Sequence, residues 1–319
     1  MTEAAERIAD ELFFPAANET DRAEIVPVEL LNALADAGLY GLTGPGSDAD
    51  FSTVCSVIEA LASGCLTTTF VWAQHLGAVR AAAASENPPV SEWIAPLCRG
   101  ERRAGLALGG ALRSPTLSAT ATADGWSFSG LSPFVSGWSR IDVMHTAART
   151  EDGRIVWALI DAEESETLVV ERLELVALNA TATVRAAFRE HPVAAERVTS
   201  VVPVQEGPAP SELLRIHAAF PLGVARRCCR LIGSSLLDDE LARVREELDR
   251  LDPDTIEQAR ARAGAVALRA ATALAARTGS RSLLLADHAQ RLVREALFCV
   301  VYALPPRARD ELLTLVGAR

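Results

Sequence analysis

The sequence predicts an α+β fold in which a strand-rich module lies between two helical regions. Three observations carry this. Apolar residues recur at helical spacing from the start to about residue 103. Near Arg103 the period shortens, and turn dipeptides such as Asp124-Gly125 and Asp152-Gly153 begin to separate brief β-type runs. After the Pro- and Gly-containing stretch Pro203–Pro210 the helical period returns and holds to the end. The expected organisation is therefore residues 1–103 helical, 104–205 strand-rich and 206–319 helical. A chain of 319 residues is long enough for such parts to share a sizeable core.

In the first region Leu30, Leu31, Leu34, Ala37 and Leu39 form a stripe closed by Gly38 and Gly41. Gly44-Pro45-Gly46-Ser47-Asp48 reads as a loop. Val54, Val57, Ile58, Leu61 and Ala62 make a second stripe, and Phe70–Ala84 a third. Asn87-Pro88-Pro89 breaks it, and Ser91–Leu97 opens a short helix. Strands are expected at Ala104–Leu108, Ser118–Ala123, Trp126–Ser129, Val143–Ala148, Ile155–Ile160, Leu168–Val176 and Thr183–Phe188. Their close spacing suggests a small antiparallel barrel or sandwich. In the last region Ser211 is an expected N-cap for a helix through Leu236, and Asp252-Pro253 opens a helix to Thr278. Gly279 ends that helix. Another spans about Asp287–Tyr302, and Pro305-Pro306 stops it.

Composition excludes several chemistries. The net charge is −11, which argues against nonspecific binding to nucleic acid or anionic membranes. All 31 basic residues are arginine, so Schiff-base lysine chemistry and a P-loop lysine are excluded. No apolar run approaches the roughly 20 residues that span a bilayer. The N-terminus is acidic, unlike a signal peptide, and a soluble cytoplasmic protein is expected. Six cysteines lack C-x-x-C spacing and nearby histidines, so neither zinc nor a disulfide framework is expected. His75, His217 and His288 read as structural, with His217 nearest the expected cleft.

The most informative stretch is Ser129-Gly130-Leu131-Ser132-Pro133-Phe134-Val135-Ser136-Gly137-Trp138. Two glycines and a proline bracket a β-type Phe-Val-Ser that presents backbone groups and a hydroxyl beside aromatic surface. Read alone, it is either a platform for a flat, polar-edged ring or an ordinary hairpin. Its company adds to it: Phe14-Pro15 with Asp21, Leu34-Ala35-Asp36-Ala37-Gly38-Leu39, Ile58-Glu59-Ala60-Leu61-Ala62, Ala180-Thr181-Ala182-Thr183 leading to Phe188, Arg215–Gly223, and Gly279 through Arg291 to Arg294-Glu295-Ala296. In this order and spacing the chain resembles the acyl-CoA dehydrogenase family over nearly its whole length.

The resemblance implies an N-terminal helical domain, a middle β-barrel and a C-terminal four-helix bundle, assembled as homo- or hetero-oligomers. It implies FAD between barrel and bundle, and an acyl-CoA or similar thioester on the flavin's other face. There a carboxylate removes the α-proton while a hydride leaves the β-carbon, so the site must stabilise an enolate-like oxygen. Carried over, Phe134 packs on the flavin ring, and Val135 and Ser136 face its edge. The shortened loop Gly109-Gly110-Ala111-Leu112-Arg113-Ser114-Pro115-Thr116 replaces the family's acid-containing phosphate loop, leaving Gly109, Gly110 and Ser114 as donors and Arg113 as a charge.

The catalytic glutamate of the family falls on Ala303, within Val301-Tyr302-Ala303-Leu304-Pro305, and alanine cannot take a proton. The family's alternative base position, just before an arginine on the first bundle helix, falls on apolar Leu213 or Leu214. Glu212 is the nearest carboxylate, and its plain reading is an exposed first-turn glutamate. Three readings follow from the resemblance. The first is an FAD-dependent oxidoreductase with a non-standard or partner-supplied base. The second is a catalytically silent subunit paired with another acyl-CoA dehydrogenase-like chain. The third is a flavin-dependent monooxygenase on the same fold.

Overall fold

The structure, a computed structural model, describes residues 1–205, 207–233 and 235–318. Its first region is helical throughout. Helix α1 (Thr2–Ile8) passes through a π turn (Ala9–Phe13) into α2 (Phe14–Arg22), followed by α3 (Val28–Asp36). Helices α4 (Phe51–Gly64), α5 (Leu66–Ala83) and α6 (Ser91–Arg99) complete it. The Asp50 side chain caps α4 by accepting from the Thr53 amide at 2.7 Å. Helix α5 is buried on nearly every face, as a helix at the centre of a molecule must be.

Eight strands follow: β1 (Ala104–Ala107), β2 (Leu117–Thr122), β3 (Gly125–Val135), β4 (Val143–Arg149), β5 (Arg154–Asp161), β6 (Leu168–Arg172), β7 (Val184–Ala194) and β8 (Val198–Pro203). They form one sheet in the order β6-β7-β3-β2-β4-β5-β8, with β1 beside β4. Inward residues from β1 through β7, among them Ala107, Phe128, Met144, Leu168 and Phe188, meet in a single cluster, so the sheet wraps around its own core.

The sheet corrects the strand reading in three places. It is mixed rather than antiparallel, because β1 runs parallel to β4. The expected strand to Val176 stops at Arg172, where pairing with β7 ends at Val184. An eighth strand, unread in the sequence, pairs Val198–Pro203 with β5. Its proline sits at the strand's end, where a missing N–H is tolerated.

The last region holds α7 (Ser211–Ile232), α8 (Leu236–Asp249), α9 (Ile256–Thr278), α10 (His288–Val301) and α11 (Pro306–Leu315). Helices α7 to α10 form a bundle, and α11 packs on α9. Four boundaries differ from expectation. Pro210, not Ser211, is the N-cap of α7, and that helix ends at Ile232 because Gly233 turns away with φ +86°. Asp252 does not open α9. Its side chain accepts from the Asp254 amide at 3.0 Å and the Thr255 hydroxyl at 2.9 Å, making a turn before the helix begins at Ile256. Pro305-Pro306 does not only follow α10: Pro306 starts α11. Glu206, in the expected linker, and Ser234, in the expected long helix, lie outside the described residues.

One core cluster joins α1 to α5 with α7 to α10, including Phe13, Ile58, Trp72, Phe220, Val266 and Leu292. Asp10 of the π turn meets Arg227 and Arg230 of α7. Asp21 accepts from Arg294 at 2.9 Å, so two segments that carry the family resemblance are in contact.

Candidate functional site

The site is built from the end of β3, the loop between β1 and β2, and one end of the bundle. Alternation along β3 buries Val135 completely and leaves Phe134 65% exposed, a large apolar ring presented to solvent. Just beyond, the Ser136 hydroxyl lies 2.7 Å from Thr183 Oγ1, which lies 2.7 Å from Thr181 Oγ1. Thr181 donates its proton to the Leu178 carbonyl at 2.7 Å. Each hydroxyl has one proton, so Thr183 donates to Thr181 and Ser136 donates to Thr183. Ser136 thus faces outward as an acceptor.

In the β1–β2 loop the glycines are required by close packing. A Cβ at position 109 would meet the Leu131 carbonyl at 2.4 Å, and one at position 110 would meet Ala148 Cα at 2.4 Å. The Gly110 amide donates to the Ala147 carbonyl at 2.8 Å, and the Gly110 carbonyl accepts from Arg149 at 2.9 Å. Ser114 and Arg113 remain exposed. Against a flavin nucleotide, the ring end therefore fits: an exposed aromatic face beside a directed hydroxyl chain. The pyrophosphate end has Ser114 and Arg113 to offer, while the Gly110 amide is already engaged with β4.

A cleft of about 680 Å³ opens where α7 and α9 begin and α10 ends, and Arg113 brings the β1–β2 loop to its edge. Ala303, Leu213 and Leu214 all line it. The two positions that the resemblance assigns to a base, remote in sequence, thus line one cleft. Glu212 stands exposed on the first turn of α7, outside that lining. The β3 end is close by through α5. A Cβ on Gly137 would lie 3.2 Å from Val71, and the adjacent Phe70 packs edge-on against Tyr302 with ring centroids 4.9 Å apart.

Two further polar groups line the cleft. His217 packs edge-on against Tyr302 at 5.2 Å, and its Nδ1 is buried without a partner. Burial, aided by the Arg260 charge, pushes its pKa down to about 3, so the ring is neutral. Glu257, in the first turn of α9, is 8% exposed, and its Oε2 is buried without a partner. One turn on, Arg260 is fully buried. It donates through Nη2 to the carbonyls of Cys299 at 2.9 Å and Tyr302 at 3.1 Å, while its Nε and Nη1 have no partner. Burial pushes the Tyr302 phenol up and the Arg260 guanidinium down.

Glu257 and Arg260 escaped the sequence reading. A sign of them was present: with Ala261 and Gly264 they occupy the i, i+3, i+4, i+7 positions of the stripe α9 buries. Charged residues in a buried stripe point to a polar pocket or a paired ion.

Comparison with known proteins agrees with this architecture. Residues 1–101 match the family model for the acyl-CoA dehydrogenase N-terminal domain. No curated protein matches by sequence. Butyryl-CoA dehydrogenase from Megasphaera elsdenii superposes with a TM-score of 0.80 at 16% identity, covering 99% of this chain and 96% of that one. A glutaryl-CoA dehydrogenase from Mycobacterium smegmatis, solved with FADH2, gives 0.78 at 16% identity, covering 99% and 92%. A methanesulfinate monooxygenase from Pseudomonas fluorescens gives 0.76 at 19% identity, covering 99% and 96%. The chain has the acyl-CoA dehydrogenase fold from end to end, and the match to the N-terminal-domain model covers residues 1–101.

Proposed function

We propose that this chain, acyl-CoA dehydrogenase-like in fold, is a flavoprotein that binds an acyl thioester and acts on its CH–CH bond with FAD as electron acceptor. One observation carries the reading: the positions of both family bases, 303 and 213 or 214, line a single cleft, to whose edge Arg113 brings the β1–β2 loop of the sheet. That is a place where a thioester would lie between a base and a flavin. Bound FAD would supply the hydride acceptor, and Phe134 and Ser136 would hold its ring, whereas Val135, expected at its edge, is completely buried. The cleft walls would exclude water from the reacting carbons, which strengthens every charge interaction inside. In solution we propose a homo- or hetero-oligomer, and a cytoplasmic location.

The test is spectroscopic. Purified protein should carry a flavin band near ~450 nm that bleaches anaerobically on adding an acyl-CoA, the hydride having left the substrate. A colourless protein that gains flavin only with a co-expressed homologue would replace this reading with the silent-subunit one. The apolar residues at 303, 213 and 214, with the engaged Gly110 amide, favour that second reading. A flavin that resists acyl-CoA but, once reduced, consumes oxygen would place the chain with the monooxygenases of this fold.

A further inference from the structure

We propose that Glu257 is the base of this cleft, taking the α-proton of the bound thioester from the first turn of α9 rather than from either family position. The inference rests on the thioester reading above and names the residue that reading leaves open. Among the described residues lining the cleft, Glu257 is the one carboxylate. Ala303, Leu213 and Leu214 line the same cleft, so a carboxylate at position 257 faces the cavity that a base at any of those positions would serve.

Its surroundings suit the task. A buried carboxylate oxygen without a hydrogen-bond partner is costly, and a fold retains one where a ligand or proton completes it. Glu257 lies in the first turn of α9, where the helix dipole is complementary to negative charge. His217 is neutral and does not pair with it. Arg260 sits one turn along the same helix, fully buried and outside the cleft lining, with Nε and Nη1 unpartnered, so Glu257 has a positive charge behind it rather than a carboxylate competing for the proton.

The step balances without an oxidant. The α-carbon–hydrogen bond breaks and the proton passes to Glu257, which becomes a neutral carboxylic acid. The electron pair moves into an enolate on the thioester oxygen. In D2O the Glu257 carboxylic acid trades that proton for a deuteron from solvent, and the reverse step returns the deuteron to the carbon.

Exchange therefore reads the base directly. The full chain as purified is incubated in D2O with saturated straight-chain acyl-CoAs from butyryl- to palmitoyl-CoA. Loss of the α-proton signal is followed by NMR, and affinity by calorimetry. The wild type should exchange. Glu257→Gln, nearly isosteric, should slow exchange at least about 100-fold while holding affinity within about threefold. Glu257→Asp, a carboxylate set back by one methylene, should fall between. Restoration of exchange on adding Ala303→Glu to Glu257→Gln would confirm that the two positions serve one volume. Thioester binding with exchange unchanged in Glu257→Gln, or unchanged in Glu257→Asp should the Gln variant misfold, would overturn Glu257 and leave the thioester reading standing. No binding of any of these thioesters by the wild type would overturn both.

Discussion

At the scale of single residues, the buried histidines make the clearest physical statement. His75 accepts from the Ala104 amide through Nδ1 at 2.9 Å, so its proton is on Nε2, which meets the Leu97 carbonyl at 3.1 Å. One neutral ring thereby ties α5 to the end of α6 and to the start of β1. Burial pushes its pKa down to about 3, against an ordinary value near ~6.5. Above that ordinary value neither state holds the extra proton, and stability is unaffected. As pH falls below it, the unfolded chain binds a proton the folded chain refuses, and stability drops by about 1.4 kcal/mol per unit. Between pH 7.5 and pH 5.0 the cost from His75 is about 2 kcal/mol. Urea unfolding at the two pH values measures it. His75→Gln should lower stability at pH 7.5, through lost buried hydrogen bonds, yet shrink the difference between the two pH values by about 2 kcal/mol. His145 and His217 are pushed down in the same direction, to about 4 and about 3, so some slope should persist. An undiminished difference in His75→Gln would show that this ring is charged in the fold.

At the scale of elements, helix contacts rest on small residues where backbones approach. A Cβ on Gly223 of α7 would lie 2.5 Å from the Glu59 carbonyl of α4 and 3.0 Å from the Ser63 amide. Backbone cannot move aside as a side chain does, so Gly223→Ala should destabilise by about 1–3 kcal/mol despite alanine's better helix propensity. Gly264→Ala in α9 is the contrast. Its nearest neighbour is the movable Val300 side chain at 3.0 Å, and the change in stability should stay within about 1 kcal/mol. A melting series on the two variants checks the ordering. These contacts also show what periodicity could and could not convey. The helical stripes, the sheet between them and the β3 run with Phe134 and Ser136 were legible, because each is a local pattern. Strand β8 was not, since Thr199 and Ser200 dilute its apolar run and pairing with β5 is what makes it a strand. Helix α11 was hidden because Pro306 was read as a stop, whereas a proline at a first helical position is a start. Glu257 was not singled out from the sequence. Only the meeting of α7, α9 and the Ala303–Pro306 segment buries it, and that meeting is a long-range fact.

At the scale of the whole molecule, the helices before and after the sheet have a common interior. Phe13, Ile58 and Trp72 share one cluster with Phe220, Val266 and Leu292, whereas the sheet keeps its own around Phe128 and Phe188. Arginine forks fasten the two helical parts across the chain: Arg245 donates to buried Glu59 at 3.1 Å, and Arg294 reaches Asp21 at 2.9 Å and the Val176 carbonyl at 3.1 Å. A lysine would supply the charge without the planar fork, so Arg294→Lys should cost about 1–3 kcal/mol and Arg294→Ala, which strands the buried Asp21, about 3–5 kcal/mol. The shared core makes a stronger demand. A fragment of residues 1–103 would expose the faces of α4 and α5 that α7 covers, and apolar area of that kind is worth about 25 cal/mol per Å2 when buried. The fragment alone should therefore melt without a cooperative transition by circular dichroism. In the intact chain, amides of α4 and α7 should exchange with deuterium at one common free energy, because opening either removes the other's partner. A fragment 1–103 that melts cooperatively, or an α4 that exchanges independently of α7, would show that the two helical parts fold separately and only dock.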